Sequence, residues 1–283
     1  MASDERATPL KTASPRVVLI CHHDAPLHHE GIARWIASWG DLAGIVIIRE
    51  PGRVLRRRLR REWKRVGALR LLDVLAFRLF YRLAIARDDA AWAEERLFRL
   101  RSTYPDIPPE TPTLEVPTPG SSESQAFVAA ARPDLVIALC KNILPERVFS
   151  IPRVGTFVFH PGICPEYRNA HGCFWALASD DLAHVGMTLL RIDKGIDTGP
   201  IFGHFGVEFD ELRESHIRIQ HRAVLDNLDA IQSRLLAITR GEAQPIDVSG
   251  RTSREWGQPW LTAWRRWKSN ARQRWRQGAH HRA

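Results

Sequence analysis

Five short apolar runs, each ending in polar residues, set the pattern of the chain. "RVVLICHH" at 16–23 has five apolar positions after its arginine and then turns polar, as a buried strand does on entering a loop. "LAGIVIIRE" at 42–50 is rich in β-branched residues and stops at Pro51-Gly52. "TLEV" forms a short strand inside a proline-rich stretch. "PDLVIALCKN" at 133–142 and "GTFVFHP" at 155–161 complete the set. Between them lie helical patterns: "EGIARWIASWG" ending at Gly40, residues 53–101 with Leu72, Leu75, Phe80 and Leu83 among regularly placed arginines, and "SESQAFVAAAR" with its serine start. Strands that are apolar throughout and alternate with helices predict an α/β fold, a Rossmann-like, mostly parallel sheet covered by helices on both faces. After residue 205 the apolar positions Ile217, Val224, Leu228, Ile231, Leu235 and Ile238 predict one helix packed on the body. The expected organisation is an α/β domain over 16–205 with a helical basic insertion at 53–101. A helical extension at 206–248 and a basic, tryptophan-rich tail at 249–283 follow it.

Charge changes this picture locally. The chain has 283 residues and a net charge of +9. Residues 53–65 alone carry +7 and residues 251–283 carry +8, so the rest of the chain is net acidic. Such segments suit phosphates, nucleic acid or an anionic lipid surface, and equally form the solvated faces of surface helices. In the tail, Trp260, Trp264, Trp267 and Trp275 would share one side of a helix with arginines between them. That pattern fits a helix lying in a membrane interface, a base-stacking surface, or plain packing onto the body. No apolar run is long enough to span a membrane, and "MASDERATPLKTASPR" has no apolar signal core. The four cysteines, 21, 140, 164 and 173, show no metal-ligand spacing. A reducing cytoplasm, with peripheral attachment to the inner membrane face through 53–65 and 251–283, is the expectation.

Candidate chemistry gathers where the strands end. Ligands of a parallel sheet bind outside its carboxyl ends. His22, Asn142 and His160 each close an apolar run. His160 is either a hydrogen-bonded structural residue or a catalyst. Asp197, in "DKGIDTGPIF", either orients a histidine or caps a backbone amide. "CHHDAPLHH" at 21–29 holds one cysteine and four histidines, but the spacing is crowded and no distant pair completes a zinc site. It is read as a substrate loop, and no metal is expected.

"GTFVFHPGICPEYRNAHGCFWALASDD" followed by "VGMTLLRIDKGIDTGPIF" resembles the 10-formyltetrahydrofolate-dependent formyltransferases. The likeness covers roughly 114–205 and extends loosely to residue 16. It rests on His-Pro, Pro-x-Tyr-Arg, Trp-Ala and Asp-Thr-Gly-Pro occurring in order. The resemblance implies attack of an amine on the formyl carbon of 10-formyltetrahydrofolate, with the tetrahedral oxyanion stabilised by an asparagine and a histidine. An aspartate positions the histidine and a proton-relaying water. His160 carries over as the histidine and Asp197 as the aspartate. Lys141, Ile143, Leu144 and Asp193 are assigned to the donor, and His22, Tyr167 and Arg168 to the acceptor. The asparagine does not carry over, because Val158 stands two residues before His160. Removing one oxyanion donor costs about 100–1,000-fold in rate. Asn142 is either a replacement donor or a cap for the following helix. The implied acceptor is a small primary amine, with a nucleotide-linked amino sugar preferred and no tRNA expected. The alternative is an altered member that binds folate or a nucleotide-sugar without transferring formyl.

Overall fold

The computed structural model describes residues 14–51 and 54–280, and the side chains of 54–61, 64–65 and 278–280 lie outside the description. The chain runs through β1 (Arg16–His22), a π-helical turn at Leu27–Ile32, α1 (Ala33–Trp39), β2 (Asp41–Ile48), α2 (Val54–Ala84), α3 (Ala86–Thr103), β3 (Thr113–Val116), α4 (Ser122–Ala131), β4 (Leu135–Leu139), α5 (Glu146–Phe149) and β5 (Gly155–His160). It continues with β6 (Arg168–Asn169), α6 (Gly172–Ala178), β7 (Gly186–Arg191), β8 (Ile201–Gly206), α7 (His216–Leu225), α8 (Leu228–Thr239), β9 (Glu255–Trp256) and α9 (Leu261–His280).

Seven strands form one sheet in the order β3-β2-β1-β4-β5-β7-β8. Pairing is parallel from β3 through β5, and β7 and β8 close the sheet antiparallel. The mostly parallel α/β fold expected from the sequence is the one observed. Alternation along each strand feeds two cores. Val17, Leu19, Ile137, Phe157 and Phe159 face one side with Trp35, Ile32, Leu100, Ile231 and Leu235 from the covering helices. Val18, Ile20, Val136 and Ala138 face the other with Val46, Val128 and Val148. Both faces are dry, which is why these strands read as unbroken apolar runs. Ser121 and Ser215 start α4 and α7 by accepting the backbone N–H of Ser124 and Arg218, each at 3.1 Å.

The region after β8 departs from expectation. The predicted single helix through 217–238 is two, α7 and α8, broken at Asp226-Asn227. The Asn227 amide donates to the carbonyls of Gly206 and Ala223 and so fixes the corner. Periodicity survives the break because Leu228, Ile231, Leu235 and Ile238 still enter the core. The tail also differs from a uniform tryptophan stripe. Trp260 precedes α9, Trp267 is fully buried, and Trp260, Trp264 and Trp267 pack with Phe77, Phe174 and Trp175 in a third core. Only Trp275 of the four is left largely exposed. Most side chains of the basic run 53–65 lie outside the described residues. Its backbone belongs to α2, which breaks at Gly67, where φ is +78°.

Candidate functional site

Chain order places the site. From β1 the chain winds outward to β2 and β3, then returns to β4 on the other side of β1. The crevice between the carboxyl ends of β1 and β4 is therefore the topological switch point, where sheets of this kind bind ligands. One hydrogen bond spans it, the Lys141 backbone N–H donating to His22 Nε2 at 3.0 Å. Lys141 itself is exposed.

One strand further along, His160 closes β5 at 3% exposure. Its Nε2 lies 2.7 Å from the Tyr167 carbonyl oxygen, which can only accept, so Nε2 carries a proton. Its Nδ1 lies 3.3 Å from Asp197 Oδ2. Two acceptors on two ring nitrogens favour the imidazolium. Burial opposes that charge, but the Cys164 side chain, the Asp197 carboxylate and the Tyr167 carbonyl outweigh it, and the pKa of His160 is raised to about 10.

The surrounding backbone is built for this contact. Asp197 Oδ2 also accepts the Asn169 N–H at 2.8 Å, and the Arg168 guanidinium donates to the Ile196 carbonyl at 2.7 Å. Asp197, Asn169 and His171 have φ of +50°, +75° and +57°, a left-handed conformation that Asp, Asn and His tolerate better than most residues. Thr188, opposite His160 across β5 and β7, donates to the Gly162 carbonyl and accepts from the Cys164 N–H. Gly162 and Gly172 meet backbone to backbone. A Cβ at Gly162 would come 2.7 Å from Gly172 Cα and 3.0 Å from His160 Nε2, so the His-Pro-Gly turn needs glycine to fold back over its own histidine. The C-terminal segment clasps the same loop. β9 pairs with β6, Arg251 holds Glu166 through two bonds, and the Asn169 amide donates to Glu255 and to the Trp256 carbonyl.

The other residues singled out from the sequence fall in different places. Val158 pairs with Leu190 and packs half-buried among apolar side chains on both sides of β5's end, so no polar group occupies the asparagine position. Asn142 donates its amide to Glu50 at 2.9 Å, beyond the end of β2, while its Oδ1 is buried without a partner. Asp193 fastens its own turn by accepting from the Gly195 N–H and the Thr198 hydroxyl. Lys194 bridges to Glu146 at 3.0 Å, joining the loops after β7 and β4. Ile143 is 73% exposed and Leu144 is buried. The Tyr167 hydroxyl donates to Asp181 rather than facing His160, and Tyr167 meets the histidine through its carbonyl. Among the described residues no three His, Cys, Asp or Glu side chains converge as a metal site, and all four cysteines are unpaired thiols. Sequence reasoning missed Thr188 and Cys164, whose roles depend on strand register and a turn. It also missed His216 and His221 of α7, whose rings meet those of His171 and His28.

Residues 100–233, just under half of the chain, match the sequence model of the formyl transferase family. A methionyl-tRNA formyltransferase of Pseudomonas fluorescens Pf-5 is 38% identical over 93 residues, which are 32% of this chain and 29% of that protein. The chain thus spans under a third of the length of the curated relatives it matches. Among solved structures, a phosphoribosylglycinamide formyltransferase from Anaplasma phagocytophilum superposes with a TM-score of 0.52 at 15% identity, covering 87% of this chain and all of that one. A 4-N formyltransferase from Francisella tularensis gives 0.51 at 11% identity, covering 91% and 87%. At these identities the likeness shows the fold.

Proposed function

We propose, from the premise that residues 100–233 belong to the formyl transferase family, that this protein transfers a formyl group from 10-formyltetrahydrofolate to the primary amine of a small acceptor. The observation that carries this reading is the His160–Asp197 contact at the carboxyl end of β5, beside the switch-point crevice. In this reading the donor lies between residues 143–146 and the loop 193–198, with the exposed Ile143 at its edge. An imidazolium held by Asp197 stabilises charge that develops on the formyl oxygen when the amine adds. Both of its N–H groups are already bonded, so a second donor completes the oxyanion site. Asn142 takes that part by exchanging Glu50 for the oxyanion. Its family counterpart would have stood at Val158.

The preferred acceptor is a nucleotide-linked amino sugar. The matched relatives are methionyl-tRNA formyltransferases by name, so an aminoacyl-tRNA is the competing acceptor. The test is formyl transfer from 10-formyltetrahydrofolate to a panel of amino-sugar nucleotides, with methionyl-tRNA as the comparison arm. Turnover on tRNA alone would refute the small-acceptor assignment. A second reading has its own support. Val158 removes a donor, and His160 spends both nitrogens on protein acceptors. Saturable folate binding with no transfer to any acceptor would favour a binding protein over a transferase.

We also propose a cytoplasmic protein that attaches reversibly to anionic membrane. No helix among the described residues is long and apolar enough to cross a membrane. The surface supporting attachment is the part of α2 after the break at Gly67, where Leu69, Leu72, Leu79 and Leu83 are 60–86% exposed at helical spacing, with the basic run on the segment before the break. Co-sedimentation with anionic vesicles, weakened by salt and by Leu72→Glu with Leu79→Glu, is the expected result. No pelleting at low salt would remove the proposal.

A further inference from the structure

Beside Lys141 stands a group of imidazoles that the formyl-transfer centre does not use. His28 comes from the turn after β1, His171 from the residue before α6, and His216 and His221 from α7. They fall into two ring pairs, His28–His221 and His171–His216, each with centroids 5.8 Å apart. Part of their polar edge is not spent on the protein, although the His171 side chain also bonds Gln258. The Nδ1 atoms of His28, His171 and His216 and the Oε1 of Gln220 are buried with no hydrogen-bond partner. His216 is 2% exposed overall. Buried polar atoms are nearly always paired, and three imidazole orphans from three separate elements mark a place where something else supplies the partners.

The charges around these orphans are of one sign. Lys141 acts on His28 and His171 and, against a larger opposing effect of the Asp89 carboxylate, on His221, and Arg78 from α2 acts on His171. Lys268 from α9 acts on His216. The nearest carboxylate from α3, Asp89, is committed to the Arg218 guanidinium and to the hydroxyls of Tyr81 and Ser215. Glu50, from beyond β2, accepts from Asn142. Among the described residues no carboxylate forms an ion pair with Lys141 or Arg78. His22 and His29 from the β1 side add further imidazoles near His28 and no negative charge.

We propose that this imidazole cluster over Lys141 binds a phosphate or diphosphate group carried by the acceptor. The proposal rests on the formyl-transfer reading for the word acceptor, and on the cluster alone for the anion. A phosphate oxygen is an acceptor with strong affinity for cationic N–H groups. An imidazole that meets it must present a proton. Burial and the neighbouring cations keep His28 and His171 deprotonated, with pKa lowered to about 3 and about 4, and His216 lies well below its ordinary value. Each therefore has an empty nitrogen to protonate when an anion arrives. In the proposed bound state the imidazoles are protonated to answer the anion's charge, so binding takes up protons and strengthens as pH falls.

The test is calorimetric titration of the full chain with inorganic pyrophosphate, at pH 6 and pH 8, in two buffers of different ionisation enthalpy. The expected result is saturable binding, tighter at pH 6, with net proton uptake. Lys141→Met should weaken it by about tenfold or more, a difference of about 1.4 kcal/mol. His28→Asn and His171→Asn should each reduce proton uptake, with the far-ultraviolet spectrum checking that the variants fold. Absence of saturable binding at millimolar pyrophosphate would overturn the proposal. So would binding without proton uptake, or binding unchanged in Lys141→Met. Competitive displacement of pyrophosphate by 5-formyltetrahydrofolate would assign the cluster to the donor's carboxylates and likewise overturn it. Failure of formyl transfer with pyrophosphate binding intact would refute only the formyl-transfer reading. Equal turnover on acceptors with and without phosphate would refute only the anion site.

Discussion

His160 and His216 are buried to the same depth, 3% and 2% exposed, and carry opposite charge preferences. His160 meets a carbonyl and a carboxylate, and its pKa is raised to about 10. His216 meets the rings of Phe77, Tyr81, Phe174 and His171 within 6 Å, and burial, with His171 and Lys268 adding to it, takes its pKa well below 6.5. Desolvation acts on both in the same direction. Acceptors reverse it at the end of β5, and His171 and Lys268 reinforce it under α7. One region is thus wired to hold a proton, and the other to lack one until a ligand brings a reason to bind it.

The largest expected effect breaks the first half of that contrast. Asp197→Asn removes the carboxylate while keeping an oxygen for the Asn169 N–H. The His160 titration, followed by the ring Cε1–H signal in NMR, should move down from about 10, and formyl transfer should fall about 100-fold or more. A histidine that stays protonated above pH 9 in this variant would show that Tyr167 and Cys164 alone set its charge. Asp197 would then be a loop anchor.

The second effect is in stability and separates the regions by pH. His160, with a raised folded pKa, contributes stability that is fully present below about 6.5 and is lost as pH rises through about 10. His28 and His171, with lowered folded values, act in the opposite limb. The unfolded chain takes up their protons below 6.5 and the folded one does not until about 3 at His28 and about 4 at His171. Each should therefore remove stability at up to about 1.4 kcal/mol per pH unit as pH falls from 6 toward 4. Urea unfolding across that range checks it. His28→Asn and His171→Asn should flatten the acid limb and leave the alkaline limb unchanged. An acid limb of equal slope in the double variant would place the proton uptake elsewhere.

How far each region was legible follows from the same physics. The strands ending at His22 and His160 were readable because a sheet dry on both faces writes continuous apolar runs. His160 and Asp197 were found by motif, and their 3.3 Å contact follows the motif's loop closure. The imidazole cluster was half visible. "CHHDAPLHH" is dense in histidine, but His171, His216 and His221 lie 140 or more residues further on, and nothing in local spacing connects them. The corner at Asn227 was invisible for a related reason. A turn that preserves the apolar register leaves the 3.6-residue pattern intact while dividing the helix. The pairing of β9 with β6, which brings the tail over the site, depends on a two-residue strand too short to carry a pattern.

The smallest effect sharpens the comparison at its most local point. Val158 and His160 lie on the same face of β5, and the valine is half-buried. A formyl oxygen gaining charge beside that valine has no side-chain donor from it, and unpaired charge in a dry site is costly. Val158→Asn should raise turnover, by about tenfold rather than the full 100–1,000-fold that one oxyanion donor is worth where the site is built around it. The gain is limited because Leu190 and the apolar side chains beside it were packed for valine. Asn142→Ala should lower turnover about tenfold in the wild-type background if Asn142 leaves Glu50 to serve the oxyanion. In the Val158→Asn background the same substitution should cost much less, because one donor then already fills the role. Steady-state rates of the wild type, both single variants and the double variant close the cycle. Additive effects would mean that the two amides never address the same oxygen, and the oxyanion donor would have to be sought in the backbone instead.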